Sequence, residues 1–532
     1  MKGAFPLTTH GRFWQGVAGR YALLTGLCAL LVNACGSPPV PPPPQPPSGI
    51  ETIWVVHPED LSKAEQTLVL TLQGLVASGP SVIWIAEEGV LNTILLEQLR
   101  DEGISVQEAP PLSELLRTFR GQIEGAVLYE LGTDSINVAT SLCGPLKAVA
   151  VDASLQPWVE ELGLPILMDV RGRDEMWALH HYQELFHPGI LVEQSEEKNA
   201  HLRDFAVAHS AFTYYGLGEE DFRAVGLALG PDPTYFGWGG DEHTWVRRVS
   251  EVGGAAVPAD WSRNLSVLEH VPAALPERPH QRVPSVHKGE RVVAFVMSDG
   301  DNIQWMGGGF ATDRGFWASP HRGSFNMTWE IAPLLAEVAP RALAYFYGTA
   351  SNGDAVDDFV TGPSGIGYAF HNYLPDRVAF AQRTADAMRE SDLTIATMLN
   401  SGGDMSQCVE LLERPEIDGV LYKDYAPYNA REGQIFWHEG KPCVAYRYLL
   451  WEPKRANSPE GVAEAISALP ADPRNDPDSY ALINVHAWSF KEMGGPMEAV
   501  RRTIELLPRD TRVVTAEVFI GLLREHFGGA GG

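Results

Sequence analysis

Cysteine is scarce: the 532-residue chain holds 5. Cys28 and Cys35 fall near its start, and Cys143, Cys408 and Cys443 stand far apart with no C-x-x-C pair. Those three allow at most one disulfide and no cysteine-rich zinc centre, and buried free thiols are the expected state. Positive charge is short as well, with 40 Lys and Arg against 68 Asp and Glu and a formal net charge of -28. Nucleic-acid binding needs basic surface to displace counterions, so no nucleic-acid partner is expected, and polyanionic substrates are disfavoured. No G-x-G-x-x-G follows a strand and no Walker loop occurs, which leaves nucleotide binding without support. Neither H-E-x-x-H nor a G-x-S-x-G elbow is present, so zincin and ordinary α/β-hydrolase chemistry lack their residues. His180, His181 and His187 are not spaced to stack ligands one helical turn apart, and read as a polar helix face.

Acidic residues are missing from the first stretch of chain; the earliest is Glu51, preceded only by the cations Lys2, Arg12 and Arg20. The apolar run Tyr21–Val32 is shorter than the roughly 20 residues a membrane-spanning helix needs, and with its basic lead reads as a secretory signal. Leu31-Val32-Asn33-Ala34-Cys35-Gly36-Ser37 resembles a bacterial lipobox, although Asn33 is less usual than a small residue at its position. That resemblance implies lipidation at Cys35 and a membrane held through the lipid anchor. Gly36, where aspartate would signal inner-membrane retention, favours the outer membrane. Pro38 to Gly49 reads PPVPPPPQPPSG, a stiff polyproline II spacer. Without the three cations the exported body carries about -31 (-28 minus 3).

The body divides into two halves. From Ile50 to residue 285, strand-like runs (Ile53–Val56, Ser81–Ile85, Gly125–Tyr129, Ala148–Val151) alternate with amphipathic stretches such as Lys63–Ser78, as in an α/β sheet domain. Ala273 to Glu290 lacks periodicity and marks the boundary. From 286 to 532, strands are expected at Val292–Met297, Ala342–Tyr347, Thr394–Leu399, Gly419–Tyr422, Cys443–Tyr448 and Ala481–Val485. Helices are expected at Asp376–Glu390, Gly461–Ala468, Met497–Leu507 and Ala516–His526. The fold class is α/β throughout, with a (β/α) barrel-like C-terminal domain and a doubly wound open sheet as the alternative. In either, functional residues gather beyond the C-terminal ends of strands.

Directly after Val292–Met297 comes Ser298-Asp299-Gly300-Asp301-Asn302-Ile303-Gln304-Trp305. Carboxylates two positions apart on a turn can face one site, bind a cation, accept sugar hydroxyls or divide acid and base work; a turn whose aspartates merely cap amides is the plainer alternative. Asp424 follows another strand and joins Asp299 and Asp301 as a candidate catalytic group. Arg447, Trp451, His486 and Trp488 also sit at strand ends, and His486 could shuttle protons or simply be a satisfied structural histidine. Trp305, Trp329, Trp437, Trp451 and Trp488 recur beside these groups, and a flat indole stacks on the apolar face of a pyranose. Asn302, Gln304 and Tyr368 complete the expected substrate-binding set.

Gly362-Pro363-Ser364-Gly365-Ile366-Gly367-Tyr368-Ala369-Phe370 is glycine-dense, letting backbone take left-handed turns or approach a ligand. Its Gly365-x-Gly367-Tyr368 resembles the name motif of the GxGYxYP family of putative glycoside hydrolases. The Ser298–Trp305 segment, Trp329 before Pro333, the strand ending at Asp424 and Val485-His486-Ala487-Trp488 are similar to that family too, and a looser likeness runs through Gly237-Trp238 and Asp260 to Val267. The family pattern ends in tyrosine then proline, whereas this chain has Phe370 then His371, so a phenolic hydroxyl is missing there. The resemblance implies hydrolysis of an oligo- or polysaccharide. The expected chemistry is a carboxyl pair among Asp299, Asp301 and Asp424, with no cofactor, although a divalent cation held by Asp299 and Asp301 would make a deacetylase-like enzyme. A surface glycan-binding protein without turnover is the third alternative.

Overall fold

The computed structural model describes residues 49–529, so the lipobox with Cys35 and almost all of the proline-rich tether lie outside the described residues. Among the described residues no helix is long and apolar enough to cross a membrane.

Ten strands form the first half: β1 (Thr52–Val56), β2 (Ser81–Ile85), β3 (Ser105–Glu108), β4 (Gly125–Tyr129), β5 (Ala148–Asp152), β6 (Ile166–Asp169), β7 (Ile190–Glu193), β8 (Phe212–Tyr214), β9 (Thr234–Gly237) and β10 (Ala255–Pro258). They make three parallel sheets in the orders β2-β1-β3, β5-β4-β6 and β10-β9-β7-β8. Strands such as Gly125–Tyr129 and Ala148–Asp152 are buried along their whole length, as parallel strands covered on both faces must be.

The second half contributes β11 (Arg291–Met297), β12 (Met327–Ile331), β13 (Asp357–Thr361), β14 (Ile395–Asn400), β15 (Gly419–Asp424), β16 (Ile435–His438), β17 (Lys441–Ala445), β18 (Tyr448–Leu450), β19 (Tyr480–Val485) and β20 (Thr511–Val513). One sheet runs β13-β12-β11-β19-β18, with β20 on β11, and another runs β14-β15-β17-β16; only β16 is antiparallel. A parallel bridge from Pro363 to Thr397 links the β13 side to β14, but the strands form two sheets and not one closed barrel ladder. Residues of both halves, from Ile53 and Trp84 to Phe295 and Met398, share one hydrophobic core.

Two expectations need correction, and two strands were not expected. Ala342–Tyr347 is helical, within Pro340–Thr349. Its buried positions Ala342, Leu343, Phe346 and Tyr347 follow helical spacing, and Pro340 opens the helix where a missing N–H costs nothing. The run Cys443–Tyr448 is two strands, broken at Tyr446-Arg447, one serving each sheet. Finally, β12 and β13 were hidden by their charges. Glu330 meets Lys423, Asp357 meets Arg322 at 3.0 Å, and Asp358 meets Arg278 at 2.6 Å, so these buried carboxylates are paired. Cys143, Cys408 and Cys443 are buried free thiols.

Candidate active site

The ends of β9, β11, β13 and β19, together with Lys423 of β15 and the loops that follow these strands, surround a cleft of about 150 Å³. It is lined by Trp238, Glu242 and Pro258 from the first half, and by Ser298, Asp299, Asp301, Asn302, Pro363, Tyr368, Lys423, Tyr428 and Trp488 from the second.

The carboxyl groups are set by backbone packing. Asp299 takes a left-handed conformation, φ 69°. Its amide N–H donates to Glu330 Oε2 at 3.0 Å, and its carboxylate accepts from Ser298 Oγ and from Trp488 Nε1 at 3.1 Å. Gly300 cannot be replaced cheaply: a Cβ there would stand 1.7 Å from the Glu330 carbonyl oxygen. Gly362 clears the other side, since its Cβ would stand 2.4 Å from the Asp301 amide nitrogen. The turn is therefore clamped between β12 and the glycine-rich loop, and Asp301 is presented to the cleft while being only 8% exposed.

Four carboxyls and one ammonium make the electrostatics. Burial, then the charges of Asp299 and Glu330, push the Asp301 carboxyl well above the usual aspartate range despite Lys423. Burial raises Glu330 to about 7, against the pull of Lys423, its ion-pair partner. Glu242 stands at the N-terminus of the helix Glu242–Glu251; burial raises its pKa, while its acceptance of a hydrogen bond from Tyr368 Oη at 2.8 Å works the other way. Two carboxyl groups on one turn are thus placed in different environments, which is how one site keeps an acid protonated beside a base. Among the described residues no group of three or more His, Cys, Asp or Glu side chains is arranged to hold a metal.

The glycine-rich motif has a local reason. Gly365 has φ 92°, and a Cβ on it would press into Thr384 at 2.6 Å. Gly367 lets the loop lie against β10, where Tyr368 and Ala256 exchange backbone hydrogen bonds of 2.7 and 2.9 Å. That pairing aims the Tyr368 hydroxyl at Glu242. Phe370 is buried against His243 and Tyr425, and His371 is buried against Phe380 with its pKa lowered to about 4 by burial. Neither lines the cleft.

Of the residues expected from sequence, Asp299, Asp301, Asn302, Tyr368 and Trp488 meet in the cleft. Asn302 also caps the helix Ile303–Gly307 through the Trp305 N–H at 3.1 Å. Trp305 packs behind Trp488, ring centroids 4.7 Å apart. Trp451 and His486 stack at 3.8 Å behind Tyr428, and burial lowers the His486 pKa. Asp424 does not join them. Neighbouring strand residues face opposite ways, so Lys423 enters the cleft while Asp424 turns to Tyr422 Oη at 3.0 Å and Arg431 at 3.4 Å. Arg447 also lies elsewhere: it precedes β18 and donates to Asp478 at 3.0 Å. Gln304 faces an adjoining surface and accepts from the Trp261 backbone N–H at 2.6 Å. Glu242, Lys423, Glu330 and Tyr428 escaped the sequence reading. Asp241-Glu242 reads as an ordinary helix start, and Asp241 does cap that helix, with its side chain accepting from the Thr244 N–H at 2.9 Å.

Residues 290–524 match the GxGYxYP putative glycoside hydrolase C-terminal domain. Residues 123–186 match the GxGYxYP_N second domain and residues 188–270 the GxGYxYP third domain. Among solved structures, the chain is similar to that of a putative hydrolase from Bacteroides thetaiotaomicron VPI-5482. The two share 27% identity at a TM-score of 0.80, over 90% of this chain and 95% of that one. No curated protein gives a significant match.

Proposed function

Because the chain belongs to the GxGYxYP family, whose C-terminal domain bears the name putative glycoside hydrolase, we propose that it hydrolyses glycosidic bonds with Asp299 and Asp301 as its carboxyl pair. The observation that carries this reading is the unequal environment of the two groups within one cleft. Asp301, kept protonated by burial and by the charge of Asp299, donates its proton to the leaving glycosidic oxygen. Asp299, oriented by Ser298 and Trp488, takes a proton from water as the water oxygen bonds the anomeric carbon, or itself bonds that carbon before water displaces it. Either route ends with water split between the two sugar fragments: when Asp299 bonds carbon, Asp301 regains its proton from the displacing water, and when Asp299 takes the water proton, that proton passes to solvent as solvent reprotonates Asp301. Tyr368, Tyr428, Trp238 and Trp488 offer ring faces and hydroxyl groups to a pyranose. The chain-ordered parallel strands around the cleft favour a barrel-like reading of the C-terminal half, with chemistry at strand ends. The N-terminal segment supports action outside the cytoplasm, on a body anchored through Cys35.

The test is incubation with a broad oligosaccharide library, products read by mass, for the wild type and for Asp299→Asn and Asp301→Asn. Cleavage by the wild type, lost in both variants with circular dichroism unchanged, is the expected result. A cleaved glycan that both variants process at the wild-type rate would overturn the assignment, and tight binding without any product would make the protein a glycan receptor.

A further inference from the structure

The two most exposed tryptophans among the described residues are Trp488, 40% exposed in the cleft, and Trp261, 56% exposed and outside it. Trp261 is not loose. Its backbone N–H donates to the Gln304 side chain, His201 meets the ring edge-on with centroids 4.9 Å apart, and the Lys198 ammonium lies over the ring 4.6 Å from its centroid. Lys198 is in turn fixed by an ion pair with the buried Asp260. A fixed indole that remains more than half exposed has apolar ring surface open to a ligand.

Beside this ring lies a groove of about 340 Å³ whose lining includes Lys63, Gln66, Asn199, His201 and Arg263. Asn199 is 2% exposed; its amide nitrogen donates to Thr67 at 3.1 Å, but its carbonyl Oδ1 finds no partner among the described residues, and neither does His201 Nδ1. Burial lowers the His201 pKa to about 3, so its ring is neutral. Buried polar atoms without partners are costly, and both belong to residues that line the groove. Cations and carboxylates alternate in the lining, with Lys63, Lys198 and Arg263 set against Glu59 and Glu197, so no single charge is selected.

Trp261 is three residues beyond Pro258, which lines the cleft, so their Cα atoms lie at most about 11 Å apart. Gln304, which holds Trp261, is two residues beyond Asn302, which also lines the cleft. We propose that Trp261, with Asn199 and His201, forms a second carbohydrate-binding subsite continuous with the cleft, so that the substrate is a glycan chain long enough to occupy both. This extends the hydrolase reading and rests on it for the cleft end of the chain.

The experiment compares the full-length wild type with Trp261→Ala and Trp261→Phe on neutral and acidic oligosaccharides ranging from disaccharides to long chains. Calorimetry reads binding and reducing-end release reads cleavage. For long chains, Trp261→Ala should weaken affinity and raise KM about tenfold, the loss of one good stacking contact. Trp261→Phe should recover part of that loss, and disaccharide turnover should be unchanged in both. Equal affinity and KM at every length would overturn the subsite, as would an equal loss on disaccharides. Cleavage indifferent to Trp261 removes the subsite and leaves the hydrolase reading. Trp261-dependent binding without cleavage does the reverse, and no carbohydrate bound at all removes both.

Discussion

Replacing Lys423 by methionine probes the electrostatic floor of the cleft. Lys423 and Glu330 are an ion pair whose side chains are 1% and 0% exposed, so the near-isosteric substitution strands a carboxylate in a dry interior. Breaking one side of a buried pair costs about 3–5 kcal/mol, a large share of the roughly 5–15 kcal/mol that holds most proteins together. Adding Glu330→Gln removes the stranded charge, and its amide oxygen can still accept the Asp299 N–H. The double variant should therefore return to within about 1 kcal/mol of the wild type. The penalty is also pH-dependent, with a definite sign. The Glu330 pKa is raised by burial from 4.5 to about 7 in the folded protein. Stability linked to its proton is full below pH 4.5 and is lost as the pH rises through about 7. The Lys423→Met penalty should accordingly be largest near pH 8 and smallest near pH 4.5, where Glu330 is protonated and no charge is stranded. Urea unfolding of the wild type, the single variant and the double variant at both pH values reads this directly. A single-variant cost below about 1 kcal/mol at pH 8, or a cost equal at the two pH values, would refute the reasoning.

The raised Asp301 carboxyl places the loss of kcat/KM on the alkaline side, because activity needs its proton; a profile already extinguished at pH 5 on a cleaved glycan would contradict that role. Asp424→Asn, which lies outside the cleft, should keep activity within about threefold while Asp301→Asn loses nearly all of it, as rate measurements on one substrate would reveal. Trp488→Phe removes the N–H donor to Asp299 but keeps an aromatic ring. It should lower kcat/KM about tenfold, with stability changed by less than about 0.5 kcal/mol because the side chain is partly exposed. Gly362→Ala forces a Cβ against the Asp301 amide and should cost about 1–3 kcal/mol in urea unfolding together with most of the activity; wild-type behaviour would show that the loop yields freely.

Much of the fold was legible because parallel strands buried on both faces are written as short apolar runs. Ser81–Ile85 and Gly125–Tyr129 are such runs, and their bounds match those read from the sequence. What hid the rest was chemistry that resembles its opposite. MTWEI and DDFVT carry three acids in ten residues, yet form fully buried strands, because Lys423, Arg322 and Arg278 arrive from remote segments to pair with them. No local pattern announces a partner ninety residues away. The segment around Ala342–Tyr347 is apolar enough for a strand, and only the spacing of its buried side chains, known once the core is seen, makes it a helix.

The site was legible to the extent that strand ends collect function. Ser298–Asn302 could be located because a dense polar run follows an apolar strand, and the cleft lies there. Choosing between Lys423 and Asp424 needed information that the sequence withholds. A strand buried along its whole length, as Gly419–Asp424 is, has no polar face to set its phase, so the side that meets the cleft is decided by register. In the pairing with β14, Lys423 stands opposite Leu399 and Asp424 opposite Asn400, and that phase sends the ammonium to Glu330 and the carboxylate to Tyr422. Glu242 was further out of reach, since it comes from the other half of the chain and meets Tyr368 only because Gly367 lets the two backbones pair at Ala256. The glycine-tyrosine motif therefore acts as a joint. It brings an acid from the first half to a pair of acids in the second, and a cleft assembled in that way depends on both halves being present.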